Sequence, residues 1–501
     1  MRSILGPVGL VAILVNCAPV VVMASNQEEF RQSVVKILAT RRAPDFLRPW
    51  TKRSPQDISG SGLVIEGNRI LTNAHVVAYT TDVYVQGYQS ADKIAAKVVA
   101  KAPGVDLAVL TVDDESFFAK RPPLPMADDL PAAKDKVNAY GYPVGGTDLS
   151  ITEGIISRIE CGLSRFETTT LRIQIDAPLN AGNSGGPAIS NEKVVGLIVS
   201  KIKAAENTGF LIPVEEIRAF LKDIADGKYD GKPQFFDAMQ TVENEALRSR
   251  LGLAAGMGGA MIESIHLSDP TYPLKEWDVI THVGEQALDS EGNVQVREDL
   301  RVRFTYLLPK LARNGTVPLT VLRDGKTVKV ELPVERERKA VVRQLNDQYP
   351  SYFIYGPLVF SPVTYEFIAG MGEKGTMVLA TRGSPLFGRI SDWPTFEGEE
   401  LVLVASPMFP HKVRKGYGEV FGCTVSHVNG VAVKSLRHLV EILRDASGTF
   451  VEFRFADRQA EAFVFRRTEI AAATEEILAD NGIRQQCSED LLSVWQGKDN
   501  K

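Results

Sequence analysis

Histidine and cysteine are scarce: the 501 residues hold six of the first and four of the second. None falls in an H-E-x-x-H or C-x-x-C spacing, the arrangements that bring ligands onto one helix face or a tight knuckle, so neither a metal nor another cofactor is expected. Cys161, Cys423 and Cys487, which remain once the N-terminal leader described below is removed, are far apart and odd in number. That excludes a fold built on disulfides and leaves buried free thiols as the expectation. Positive charge is not in excess either. With 57 Lys and Arg against 62 Asp and Glu, and no basic cluster interleaved with aromatics, nothing would hold a nucleic-acid backbone by charge. Beyond the first 24 residues no apolar run approaches the ~20 residues that cross a bilayer.

What is present begins with that leader. Arg2, an apolar run from Ile4 to Met23 and Val22-Met23-Ala24 before Ser25 make an n-region, an h-region and a small-residue cleavage site. A secretory signal peptide over residues 1–24 is expected, which places the mature chain in a periplasm or outside the cell. An uncleaved membrane anchor is the alternative, disfavoured by Pro7, Asn16 and Pro19 within the run.

The most informative stretch is Asn180-Ala181-Gly182-Asn183-Ser184-Gly185-Gly186-Pro187. A serine on a glycine-rich loop has backbone amides on either side that can hold an oxyanion, and the glycines reach backbone conformations closed to other residues. Ser184 needs a base to become a nucleophile, and His75 in Thr72-Asn73-Ala74-His75-Val76-Val77 is the candidate. Asp106 in Asp106-Leu107-Ala108-Val109-Leu110 would hold the imidazole in one tautomer. The amides of Gly182 and Ser184, with Asn183 between them, are the candidate oxyanion hole. Ser184 also fits G-x-S-x-G, the serine turn of α/β-hydrolases, but there the acid and histidine follow the serine and a helix follows the turn. Here both precede it, and only Pro187-Ala188-Ile189 separates the motif from the next turn. The order His, Asp, Ser excludes that fold.

Short apolar segments from Gly62 to Val199, broken by Gly, Asn, Asp and Pro, predict antiparallel β structure. A strand is predicted over 33–38, a loop over 41–58, and a helix after Pro213 with Ile217, Phe220, Leu221 and Ile224 on one face. Residues 225–233, rich in glycine and charge, read as a linker.

Gly60-Ser61-Gly62-Leu63-Val64-Ile65, the three motifs above and Asn207-Thr208-Gly209-Phe210-Leu211-Ile212-Pro213 together resemble the Deg/HtrA family of serine proteases. The resemblance implies a mainly β chain: a chymotrypsin-like double barrel over 25–228, a PDZ-like α+β domain over 232–335 and a divergent second over 350–470; a C-terminal tail over 471–501 follows, and its polar end from Gln485 to Lys501 reads as flexible. Gly256-Met257-Gly258-Gly259 and Gly370 to Val378 stand where PDZ carboxylate-binding loops would be. Insertions at 289–299 and 389–418 depart from the family pattern, and the second PDZ-like domain is read as an assembly surface in place of a peptide site. The family further implies an endopeptidase acting on unfolded or damaged proteins and a specificity pocket flanked by Leu197, Val199 and Phe210, which favours small or medium aliphatic residues. It also implies peptide ligands for the PDZ-like domains and homotrimers, with Phe30, Phe46 and Trp50 as interface candidates. A chaperone or peptide-binding scaffold with little proteolysis is the alternative class, which a missing triad member would favour.

Overall fold

Leu107-Ala108-Val109-Leu110 is apolar at every position because both faces of its strand are covered. In the computed structural model, which describes residues 20–163, 168–199, 209–267, 269–458 and 460–498, a helix α1 (Val20–Ser33) leads into a closed barrel. Its strands are β1 (Val34–Arg41), β2 (Gln56–Ile65), β3 (Arg69–Thr72), β4 (Thr80–Gln86), β5 (Lys93–Ala102) and β6 (Leu107–Val112). Successive side chains of a strand point to opposite faces. Ala108 and Leu110 therefore enter the barrel with Val35, Ile37 and Val85, while Leu107 and Val109 enter a second core with Leu63 and Leu71.

That second core is the seam between two barrels. The other closes over β7 (Lys136–Gly141), β8 (Ser150–Leu163), β9 (Thr169–Ile175), β10 (Pro187–Ser190), β11 (Lys193–Val199) and β12 (Gly209–Pro213). It contributes Tyr140, Tyr142, Leu197 and Ile212 to the seam, and the helix after it, α2 (Val214–Asp223), adds Ile217 and Phe220. The chain is thus mainly β with a chymotrypsin-like pair of six-stranded barrels. β2 starts at Gln56, inside the expected loop, because Gln56 to Ser59 pair with Arg41 to Leu38 of β1. Gln56, Asp57 and Ser59 are polar and exposed or half-buried, and the single apolar residue among them, Ile58, packs on the barrel core, so no apolar alternation announces the strand.

The expected linker is fastened down. Lys232 pairs with Glu216 of α2 at 2.6 Å, both largely out of water, and Glu216 also accepts from the Leu171 amide. Arg336 reaches Asp223 and the Gly231 carbonyl, and Tyr229 packs edge-on to Phe220. The sheet that follows has β13 (Ala238–Thr241), β14 (Ala260–Ser264), β15 (Val279–Val283), β19 (Thr316–Arg323) and β20 (Lys326–Pro333) in that order, with β16 (Gln286–Ala287) on β15 and a hairpin of β17 (Asn293–Arg297) and β18 (Leu300–Arg303) beside it. The helix α3 (Glu245–Leu251) joins β13 to β14. Here an expectation fails: Gly256 to Gly259 lead into β14, an inner strand paired with both β13 and β15. An inner strand has no open edge to offer a peptide; the edges of this sheet are β13 and β20. After β18 a 3₁₀ turn (Phe304–Leu307) runs into a single α turn, α4 (Leu308–Leu311), with Pro309 in its first positions, where a missing N–H costs nothing.

The C-terminal domain has two small sheets, β21 (Phe353–Tyr355), β22 (Leu358–Pro362) and β23 (Val402–Val404) in one, and β24 (Val425–Val428), β25 (Val431–Ala432), β26 (Phe450–Phe455) and β27 (Phe463–Arg466) in the other. Gly370 to Val378, expected as a binding loop, instead ends α5 (Tyr365–Gly370) and builds most of α6 (Gly372–Thr381), with a short α7 (Pro385–Gly388) after it. The helix α8 (Leu436–Arg444) buries Leu436, Leu439, Val440 and Leu443, and the Ser435 hydroxyl caps it by accepting from the His438 amide.

The expected tail is not loose. α9 (Arg467–Asp480) and α10 (Glu489–Trp495) are folded, Ile354 and Ser488 exchange backbone bonds with Gln486 and Tyr352, and Cys487 and Val494 are fully buried. Apolar residues spaced between many charges hid this packing. Phe30, Phe46 and Trp50 are likewise engaged within one chain: Phe30 lies edge-on to Tyr140, Phe46 packs in a C-terminal cluster, and Trp50 meets Phe409 at 5.5 Å. Phe30 is buried, whereas Phe46 and Trp50 stay half-buried. The leader falls mainly on residues 1–19, outside the described residues; α1 runs through the expected cleavage point after Ala24. Among the described residues no helix is long and apolar enough to cross a membrane.

Candidate active site

Asp106 sits just before β6 in the left-handed backbone region, φ 57° and ψ 42°, a conformation that Asp tolerates better than most residues. This turns its carboxylate back toward the 3₁₀ turn Ala74–Val76 after β3. There His75 Nδ1 lies 2.8 Å from Asp106 Oδ2 and 3.0 Å from Oδ1, and the His75 amide donates to Oδ1 at 3.0 Å. A carboxylate only accepts, so Nδ1 carries the proton and Nε2 keeps its lone pair for a substrate-side proton. Asn73 Nδ2 donates to the Asp106 carbonyl, and Arg41 donates to the His75 carbonyl at 2.6 Å. The pair is therefore held from backbone and side chain together. Gly60 of β2 makes room for this turn, since a Cβ there would lie 2.7 Å from Val76.

Ser184 comes to the same seam on the loop before β10. Its carbonyl accepts from the Ser61 amide at 2.9 Å, and the Ser61 carbonyl accepts from Thr72 Oγ1, at the end of β3 just before the His75 turn. Ser184 is 3% exposed. The loop needs its glycines: Gly182 has φ 99° and Gly185 φ 85°, and a Cβ on Gly185 would lie 2.1 Å from the Ser61 carbonyl oxygen. Carbonyl and N–H of one trans peptide point in opposite directions. Val144 N donates to the Ala181 carbonyl at 2.7 Å and Gly186 N to the Asn183 carbonyl at 3.0 Å, so the Gly182 and Ser184 amides are each aimed away from a pinned carbonyl. The Asn183 amide is used internally, donating to Asn180 O at 3.1 Å, which removes it from the expected set of oxyanion donors.

The expected pocket residues part company. Leu197 is wholly buried in the seam beneath α2 and packs as core. Val199 and Phe210 face each other across β11 and β12 and are half-buried. Leu179, which sequence reasoning missed, fills the space beside them: a Cβ on Gly209 would lie 2.5 Å from it. Ser61 was visible only as the middle of Gly-Ser-Gly, with nothing to mark what its hydroxyl does.

Two closed barrels with a serine-bearing loop and a His–Asp pair at their seam define a trypsin-like serine peptidase. A family model described as a trypsin-like peptidase domain matches residues 60–197, and one described as a PDZ domain matches residues 341–490, past the expected limit at 470. Protease Do-like 4, mitochondrial, from Arabidopsis thaliana is 35% identical over 416 residues, 82% of this chain and 76% of that one. Protease Do-like 2, chloroplastic, from the same plant is 32% identical over 476 residues, 94% of this chain and 77% of that one. The solved structure of the HtrA-type protease AlgW with tripeptide shares the fold, with TM-score 0.50, 23% identity, and coverage of 63% of this chain and 97% of that one. The chain belongs to the Deg/HtrA family of serine proteases.

Proposed function

We propose that this chain is an endopeptidase for unfolded or damaged proteins, working through His75, Asp106 and Ser184. The observation that carries it is the His75–Asp106 pair, with Nδ1 at 2.8 Å from the carboxylate, placed on the strand end tied through Thr72 and Ser61 to the Ser184 loop. Ser184 Oγ attacks the scissile carbonyl carbon and passes its proton to His75 Nε2, while the amides of Gly182 and Ser184 receive the oxyanion. The C–N bond then breaks, His75 returns the proton to the leaving amine, and an acyl-enzyme remains on Ser184. Water, deprotonated by His75, repeats the sequence and releases the acid. Val199, Phe210 and Leu179 make a shallow apolar pocket that takes small or medium aliphatic side chains.

Peptide ligands on the PDZ-like domains, a trimer-based assembly, and a compartment reached through the N-terminal leader complete the reading. The leader favours a periplasm or the cell exterior, whereas the relatives above are named for mitochondria and chloroplasts. The test is degradation of casein by the purified chain, with and without a serine-directed fluorophosphonate. Loss of cleavage with a single label on Ser184 supports the reading. Casein held soluble but uncut, with no label, would favour a chaperone.

A further inference from the structure

We propose that Ser61 is a positioning residue that aims the oxyanion amides from the opposite barrel; this rests on the reading of Ser184 as nucleophile. Each carbonyl from Ala181 to Ser184 is pinned by a donor: Val144 N, Ser61 Oγ at 2.8 Å, Gly186 N and Ser61 N respectively. The only side chain among those donors is Ser61, and it stands on β2 of the first barrel. Ser61 is fully buried. Its Oγ accepts from the Tyr142 amide at 2.8 Å, so the one hydroxyl proton is committed to the Gly182 carbonyl. One oxygen thus joins three segments: β2, the turn after β7, and the Ser184 loop.

The consequence lies in Gly182. Its φ of 99° is open to glycine, and glycine has the most freedom to leave it. The Gly182–Asn183 peptide lies between the two oxyanion amides, and a turn of that plane would swing the Gly182 and Ser184 N–H groups out of convergence. The Ser61 hydroxyl and the Asn183 amide, which donates to Asn180 O, hold that plane on its two sides. Removing the hydroxyl leaves the Gly182 carbonyl and the Tyr142 amide buried without this partner, a state that the loop relieves by rotating. Ser61 touches no substrate and acts only through this plane.

The experiment compares Ser61→Ala, Ser61→Thr and Ser61→Cys with the wild type in the full chain, using an unstructured fluorogenic peptide, a peptide boronate that forms a tetrahedral adduct, and fluorophosphonate titration of Ser184. Ser61→Ala is expected to lower kcat by 10- to 100-fold with KM within about twofold, and to weaken the boronate in proportion to kcat, since both need the same amides. Ser61→Thr, which keeps the hydroxyl, should recover most of the loss, and Ser61→Cys, a weak donor, little of it. Folded Ser61→Ala with kcat within twofold of wild type overturns the proposal. So does a loss of rate matched by a lower titre of labelled Ser184 with unchanged boronate affinity, which marks a purely structural role. Should Ser61→Ala not fold, Thr against Cys decides: equal kcat in the two overturns it. A wild type that neither cleaves nor labels instead removes the protease reading itself, and the role of Ser61 with it.

Discussion

The first barrel runs β1-β2-β3-β6-β5-β4 and the second β7-β8-β9-β12-β11-β10, the same winding used twice, yet the two present their chemistry by different means. The first presents side chains: His75 and Asp106 meet in a directed pair on a turn and a strand entry. The second presents backbone: its loop is a run of pinned carbonyls, with the Gly182 and Ser184 amides aimed away from theirs. A side-chain pair depends on which groups are there, whereas an amide array depends on φ and ψ. Substitutions should therefore hurt the first by chemistry and the second by shape.

The largest expected effect falls where the two meet. Ser184→Ala should lower kcat by about 10⁶-fold with the fold unchanged, measured by peptide cleavage and thermal unfolding. Residual cleavage above a few per cent would show that another nucleophile acts. Asp106→Asn should cost about 10⁴-fold, because an amide can present its NH₂ to Nδ1 and stabilise the wrong tautomer. Gly182→Ala tests the shape half. Its Cβ would lie 2.4 Å from the Tyr142 carbonyl at a φ of 99°, so the loop must shift, and a loss of about 10²- to 10³-fold in kcat with His75 and Asp106 intact is expected.

The smallest effect concerns the seam between the second barrel and its neighbour. Burial pushes the Cys161 thiol up to about 11, and its side chain packs with the cluster that joins Leu171 to the middle domain. A thiolate is what reacts, so alkylation at pH 8 should be on the order of 100-fold slower than for an ordinary thiol. Site-resolved mass spectrometry after iodoacetamide treatment measures it. Fast labelling of Cys161 in a folded chain would mean that this joint opens readily in solution.

The barrels were legible because their strands are apolar in short, punctuated runs, and the His75, Asp106 and Ser184 motifs stood out because each is framed by glycines or β-branched residues and the three occur in one telling order. What was not legible depends on distance along the chain. Ser61 and Gly182 are 121 residues apart, and no local pattern encodes a bond of that span. The first half of β2 and the helix α10 failed for other reasons: the first is a strand because β1, across one loop, pairs with its largely polar residues, and the buried Leu491 and Val494 of the second stand among charges while their core partners lie in earlier segments. Leu197 failed otherwise. An apolar residue on a strand beside a pocket can face the pocket or the core, and only the three-dimensional placement shows that Leu197 took the core.

The loop between β1 and β2 has a consequence for biosynthesis. Its Leu47 carbonyl accepts from Ser406, 359 residues later, and Trp50 closes on Phe409. At roughly 5 to 20 residues per second, a ribosome needs about 20 to 70 s to make that intervening chain. For that interval the loop, whose neighbour Arg41 holds the His75 carbonyl, keeps its bonds to the first barrel but lacks its partners in the last domain. The barrels can close early, but the surroundings of the histidine are completed only when the last domain arrives, so each nascent chain passes through a period in which a protease fold exists without its finished frame.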